Sequence, residues 1–173
     1  MQVKLKVKLP IRIILVGQTF KESRTVQRAK TMQSLGFSVT CVSSLLPNSN
    51  YETRPSLSKR IWYRLRIPAD PARANSRIIS EVKRGAEILW LDAADMIKSS
   101  TIHRAKELNP RLVVIWYGED DMMNARLRTR QIDRSLPLFD LWVTTKSFNS
   151  QPDEIPSLGA KNVLFVNNSC DPQ

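Results

Sequence analysis

One histidine, two cysteines and five glycines in 173 residues remove several classes of chemistry at once. His103 falls one position off the apolar stripe of a predicted helix, so no Ser-His-Asp relay can be assembled around it. Cys41 lies in an apparent strand and Cys170 in the tail, too few and too badly placed for a disulfide framework or a metal site. That usage points to a reducing compartment. The turn Gly17-Gln18-Thr19-Phe20 lacks the glycines that let a backbone approach a pyrophosphate, and no Gly-Lys-Ser or Gly-Lys-Thr phosphate loop occurs. Neither a cofactor nor a metal is therefore expected. No apolar run approaches the roughly 18 residues of a membrane span, and the lysines of the first 16 residues are interleaved with apolar positions where a signal peptide would separate them. The expected location is cytoplasmic, at most peripheral at a membrane.

Positive charge, by contrast, is abundant. Lys plus Arg number 27 against 16 Asp plus Glu, a balance of +11 that favours association with an anionic partner such as nucleic acid, acidic lipid or a phosphorylated ligand. The excess is concentrated between Arg54 and Arg84, where nine basic residues face only Asp70 and Glu81. A solvated helix face would account for the same run.

Along the chain, residues 1–10 alternate apolar residues with lysine and end at Pro10, as an edge strand or a leader would. Residues 11–166 read as one domain. Ile11 to Val16 is a strand, Ser23 caps a helix with Val26, Ala29, Met32 and Leu35 on one side, and Phe37 to Val42 is a second strand, which implies a parallel pair. Leu57, Ile61 and Leu65, widened by Trp62, Tyr63 and Ile67, make a basic amphipathic helix with Lys59, Arg60, Arg64 and Arg66 around it. Asp70-Pro71 opens another helix, Glu87 to Leu91 is a third strand, and Ser99 or Ser100 caps a helix that stops at Asn109-Pro110. Val113 to Tyr117 is a strand buried on both faces, after which Asn124 opens a basic helix. Leu141 to Thr144 and Val163 to Val166 are the last two strands. Such alternation predicts a doubly wound, mainly parallel, Rossmann-like α/β sheet of about six strands, burying Ile13, Leu15, Val39, Leu89, Val113, Ile115 and Val143.

Several strand-end segments together resemble a known family. Ile13 to Gly17, Leu35-Gly36-Phe37-Ser38-Val39, Ile88 to Asp92, Tyr117-Gly118-Glu119-Asp120-Asp121-Met122-Met123-Asn124, Leu136-Pro137-Leu138-Phe139-Asp140, Val143 to Asn149 and Leu158 to Val163 are similar to the amino-terminal half of GT-B-fold glycosyltransferases of the spore-protein CgeB-like group. The resemblance implies the acceptor-side lobe of a two-lobed enzyme, whose partner lobe binds the nucleotide-sugar and closes a cleft over the reaction. It places that second, C-terminal lobe beyond residues 167–173, which look like the start of the interdomain linker, so these residues alone would lack full turnover. The chain departs from the family at Pro152 and Pro156, where a regular helix is usual. An interior proline costs a helix about 3 kcal/mol, so a short or broken one is expected.

Ligands of parallel sheets sit beyond the carboxyl ends of the strands, which makes one rim the place to look for a site. Glu119, Asp120 and Asp121 are the candidate catalytic residues: adjacent carboxylates repel, and one of raised pKa could deprotonate an acceptor hydroxyl. Gly17, Gln18, Thr19, Asp92, Asn124, Thr145, Lys146 and Asn168 are candidates for acceptor binding on the same rim. Turn and cap roles would explain each of these residues taken singly. Lys59, Arg60, Arg64 and Arg66 are candidates for contact with an anionic surface, a membrane before a nucleic acid, since no recognition-helix or RNA-binding signature accompanies them. A different class stays open, a non-catalytic α/β module docking through its basic surface to an anionic partner.

Overall fold

Six strands form one parallel sheet in a computed structural model that describes residues 10–47 and 57–167. They are β1 (Arg12–Gly17), β2 (Ser38–Ser43), β3 (Ile88–Asp92), β4 (Val113–Gly118), β5 (Leu141–Thr144) and β6 (Val163–Phe165), in spatial order β2-β1-β3-β4-β5-β6. Parallel neighbours need crossovers, and helices α1 (Arg24–Ser34), α2 (Leu57–Arg64), α3 (Ala74–Lys83), α4 (Ser99–Leu108) and α5 (Arg130–Ser135) lie between consecutive strands. The expected doubly wound, Rossmann-like α/β fold is what forms. The leader or edge strand read over residues 1–9 lies outside the described residues, as do 168–173 with Asn168.

Alternate strand residues divide between the two faces. Ile14, Val16, Leu89, Leu91, Val114, Trp116 and Trp142 pack in one core with Ile78 and Val82 of α3, Ile102 and Ala105 of α4, and Ile132 of α5. Ile13, Leu15, Ile115 and Val143 are buried on the opposite face, where α1 packs against β1 and β2. Under β4 and β5, Trp116 stacks on Trp142 with ring centroids 5.3 Å apart, and Phe139 closes the trio at 5.8 and 5.9 Å. Each such pair adds about 0.5 to 1.5 kcal/mol beyond its area, which fixes the strand ends that carry the site.

The structure corrects several local expectations. Val113 is 41% exposed because α1 packs on β1 and β2 and leaves the start of β4 open, and Val39 is only half-buried because β2 is the edge strand. Leu35 is exposed: it is the residue after the last helical turn, from which the chain swings through Gly36 at φ 90°. Asp70 does cap a helix, accepting from the N–H groups of Ala74 and Asn75 at 2.7 and 3.0 Å, but that helix begins at Ala74, three residues past Pro71. No helix opens at Asn124. There Asp121 Oδ1 accepts from Met123 N–H at 3.0 Å and Asn124 Oδ1 from Arg126 N–H at 3.0 Å. Such side-chain bonds compete with helical ones, and α5 starts only after Thr129, whose hydroxyl accepts from Ile132 N–H at 3.3 Å. Short 3-10 turns at Ser147–Ser150 and Ile155–Leu158 flank Pro152 and include Pro156, the two prolines that exclude a regular helix there. The amphipathic helix forms as α2, yet Leu57, Ile61, Trp62 and Leu65 on it and just beyond it are exposed.

Candidate functional site at the strand-order switch point

Strand order reverses between β1 and β3. From β1 the chain crosses to β2 on one side, and from β3 it crosses to β4 on the other. Crossovers diverging from neighbouring strands leave a crevice beyond their carboxyl ends, where α/β proteins place ligands. Gly17 ends β1 and Asp92 ends β3, so both border this crevice.

Glycine is required at Gly17 by close approach. A Cβ there would come within 2.5 Å of Thr25 Oγ1 and 3.1 Å of Asp92 Cβ. With no side chain in the way, Thr25 Oγ1 donates to Asp92 Oδ2 at 2.6 Å across the crevice floor. Arg28, one turn along α1, gives Nη1 to the same Asp92 oxygen at 2.5 Å and Nη2 to Glu119 Oε1 at 3.4 Å. Its guanidinium carbon lies 4.1 Å from the centroid of the Tyr117 ring, whose hydroxyl donates to Glu119 Oε1 at 3.4 Å. Arg24 pairs with Glu119 from the solvent side. Arg24, in the first turn of α1, opposes the helix macrodipole; Glu119 at the end of β4 supplies the compensation.

The acidic triplet therefore divides. Glu119 is clamped by two arginines and a tyrosine. Asp120 is exposed, and Asp121 closes a turn. Asn149, wholly buried, donates to Asp121 Oδ1 at 3.2 Å and accepts from Met122 N–H at 3.2 Å in the amide orientation that satisfies both ends. Thr145 Oγ1 donates to the Glu119 carbonyl at 3.4 Å and joins the rim. The Gln18 carbonyl accepts from Ser23 Oγ at 2.6 Å, and the Gln18 side-chain oxygen is buried without a donor. Lys146 donates its N–H to Thr144 Oγ1 at 3.1 Å. Thr19 faces a neighbouring cleft of about 650 Å³ beyond β1 and β2, shared with Phe20, Ser43, Arg73 and Arg77. Asn124 is exposed and serves its own turn. Of the residues expected on the rim, the structure gathers Gly17, Asp92, Glu119 and Thr145 into one linked set.

Arg28, Thr25 and Arg24 are not among the candidates read from the sequence, although their signal is present in it. Two arginines and a threonine in the first turns of the helix after β1, with no acid there, need carboxylates in reach. Asp95 is a second addition. Burial pushes its carboxyl up to about 6 against the opposing effect of a bond from its own N–H, and its carbonyl accepts from Thr129 Oγ1 at 3.1 Å. The block Leu136 to Asp140, one of the more specific parts of the family resemblance, is structural. Leu136 and Phe139 are core, and Asp140 Oδ2 holds Lys106 Nζ at 2.7 Å and the N–H of Val114 at 2.8 Å.

Lys59, Arg60 and Arg64 belong to α2, with Arg60 and Arg64 exposed. Arg66 differs from them. It donates to the Arg128 carbonyl at 2.8 Å and pairs with Asp133 at 2.6 Å, while its own carbonyl accepts from Arg130 N–H at 2.9 Å. No helix among the described residues is long and apolar enough to cross a membrane.

No family model matches the chain, and no curated protein matches it. Among solved structures it is similar to a protein from Burkholderia pseudomallei named for a relation to pilus assembly, at 16% identity and a TM-score of 0.37, over 90% of this chain and 77% of that one.

Proposed function

We propose that the chain is the acceptor-side lobe of a GT-B glycosyltransferase of the kind its strand-end segments resemble, working against a second lobe that carries the nucleotide-sugar. The observation that supports it is the meeting of Asp92 and Glu119 on one guanidinium at the switch point, 2.5 and 3.4 Å from Arg28. Sugar hydroxyls are recognised by fixed carboxylates and planar guanidinium donors, and a rim held by β1, β3 and β4 presents both on rigid elements. To Asp120, exposed and next to Glu119 in the chain, this reading assigns the acceptance of the proton of an attacking hydroxyl, a role worth about 10²- to 10⁴-fold in rate. Arg24 and Arg28 pair with Glu119 and fix its carboxylate in place, which suits it to orienting the acceptor.

The test is a glycan array probed with the purified chain, followed by calorimetry. Hydroxyl-bearing acceptors are expected to bind, with affinity lost in Glu119→Gln and kept in His103→Ala. Nucleotide-sugars are expected not to bind, because no phosphate-cradling loop is present. Micromolar affinity for a nucleotide-sugar, or acceptor binding indifferent to Glu119→Gln, would refute this assignment.

A further inference from the structure

Helix α2 leaves about half or more of each side chain along its apolar stripe uncovered. Leu57 is 75% exposed, Ile61 60%, Trp62 49%, and Leu65, just past the helix, 47%. Leu57, Ile61 and Leu65 recur every fourth residue, so they share one side of the helix, with Trp62 beside them. Four large apolar side chains in one row exceed the scattered exposure usual on a monomer. Arg60 and Arg64 stand next to this row, exposed and without a carboxylate partner among the described residues, and α2 itself contains no acid.

The chain is anchored just past the carboxyl end of this row. Arg66, at φ 59°, turns the chain out of the helix and ties it to Arg128, Arg130 and Asp133 through its guanidinium and its carbonyl. An exposed apolar row whose end is anchored and whose side chains stay uncovered is open to a surface outside the chain.

We propose that α2 docks the protein on an anionic lipid surface, with Leu57, Ile61, Trp62 and Leu65 entering the headgroup boundary and Arg60 and Arg64 meeting lipid phosphates. Interfacial helices of this kind place apolar and indole side chains at the acyl boundary and cations at the headgroups. Charge and apolarity together choose the occupant. Nucleic acid would use the arginines and gain nothing from the leucines and isoleucine. A second copy meeting α2 face to face would bring four arginines together with no acid on either helix. The inference stands on α2 alone and is independent of the transferase reading.

Sedimentation with vesicles tests it, using the purified chain with phosphatidylserine-containing and with pure phosphatidylcholine vesicles. Binding is expected only to the anionic vesicles and should weaken steeply with added salt. Arg60→Glu and Arg64→Glu should each cost at least about fivefold, from roughly 1 kcal/mol per basic charge near the surface. Ile61→Ser with Trp62→Ser should abolish binding while the chain still unfolds in one cooperative transition, since about half or more of each side chain is already exposed. The indole emission should shift to the blue on binding, and Trp62→Phe should remove that shift while sedimentation persists. Equal binding to both vesicle types, no binding to either, oligonucleotide binding in place of vesicle binding, or a dimer abolished by the Ile61 and Trp62 substitutions would each overturn the proposal.

Discussion

Replacing Arg28 by Met tests whether the rim is one linked unit. Met keeps most of the aliphatic stem and removes the guanidinium, so the loss is electrostatic. Asp92, 9% exposed, would keep only the Thr25 hydroxyl, and Glu119, 25% exposed, would keep the solvent-side Arg24. Breaking a fully buried pair costs about 3 to 5 kcal/mol. Arg28 is itself 20% exposed, so solvent screening lowers that figure, while its contact with Tyr117 adds about 0.5 to 1 kcal/mol. The expected loss is about 2 to 3 kcal/mol, read in urea as a lower midpoint with an unchanged slope. A cycle with Asp92→Asn sharpens the test. If Arg28 and Asp92 act together, the double variant should be more stable than the sum of the single losses by about 1 kcal/mol or more. A loss below about 0.5 kcal/mol for Arg28→Met, or additivity in the cycle, would mean that the contacts do not stabilise the rim and that its residues act separately.

Two other perturbations probe the same geometry. Gly17→Ala should destabilise by about 1 to 3 kcal/mol, because the new methyl would overlap Thr25 and crowd Asp92; a melting temperature equal to the parent's would show that the strand end is loose enough to admit a side chain. Asp95, with its carboxyl raised by burial to about 6, binds a proton in the folded chain between pH 4 and 6 that the unfolded chain has released, so stability must fall as pH rises through that window. The gap of about two pH units corresponds to at most roughly 3 kcal/mol, so Asp95→Asn should melt higher than the parent at pH 8 and alike at pH 4. Parallel melting curves across that range would contradict the burial.

The fold was legible where burial and periodicity agree. Ile13 to Val16, Leu89 to Leu91, Val114 to Trp116 and Trp142 to Thr144 are short apolar runs ending in glycine, acid or threonine, as the strands of a parallel sheet covered on both faces read. Helix starts were less legible. Asp70, Asp121 and Asn124 all carry side chains that bond nearby backbone, and whether that bond caps a helix or closes a turn depends on the residues downstream. Asp70 precedes the apolar run of α3, whose Ile78 and Val82 reach the core. After Asn124, the next side chains to reach the core come from α5. Leu57, Ile61 and Leu65 show the limit of periodicity. It places them on one side of a helix but does not say that the sheet lies on that side.

The site divides along the same line. Strand ends could be located from sequence because the sheet sets them, and Gly17, Asp92 and Glu119 accordingly meet. What joins them comes from a helix, and a helix's rotation about its axis is decided by the residues it buries. The stripe Val26, Ala29, Met32, Leu35 implies one rotation of α1, with those four side chains inward. The structure buries Ala29 of that stripe together with Thr25, while Val26 and Met32 are only half-buried and Leu35 is exposed, an orientation that sets Arg28 over Tyr117 and onto Asp92. Thr25 is the small polar residue that can be buried there only because Asp92 accepts its hydroxyl and Gly17 leaves room for it. The hydrogen bond, the absent Cβ and the orientation of α1 are thus one requirement. An uncompensated carboxylate at the end of β3 would be costly at that depth, and the arginine that neutralises it comes from α1, which packs on β1 and β2 beside the switch point.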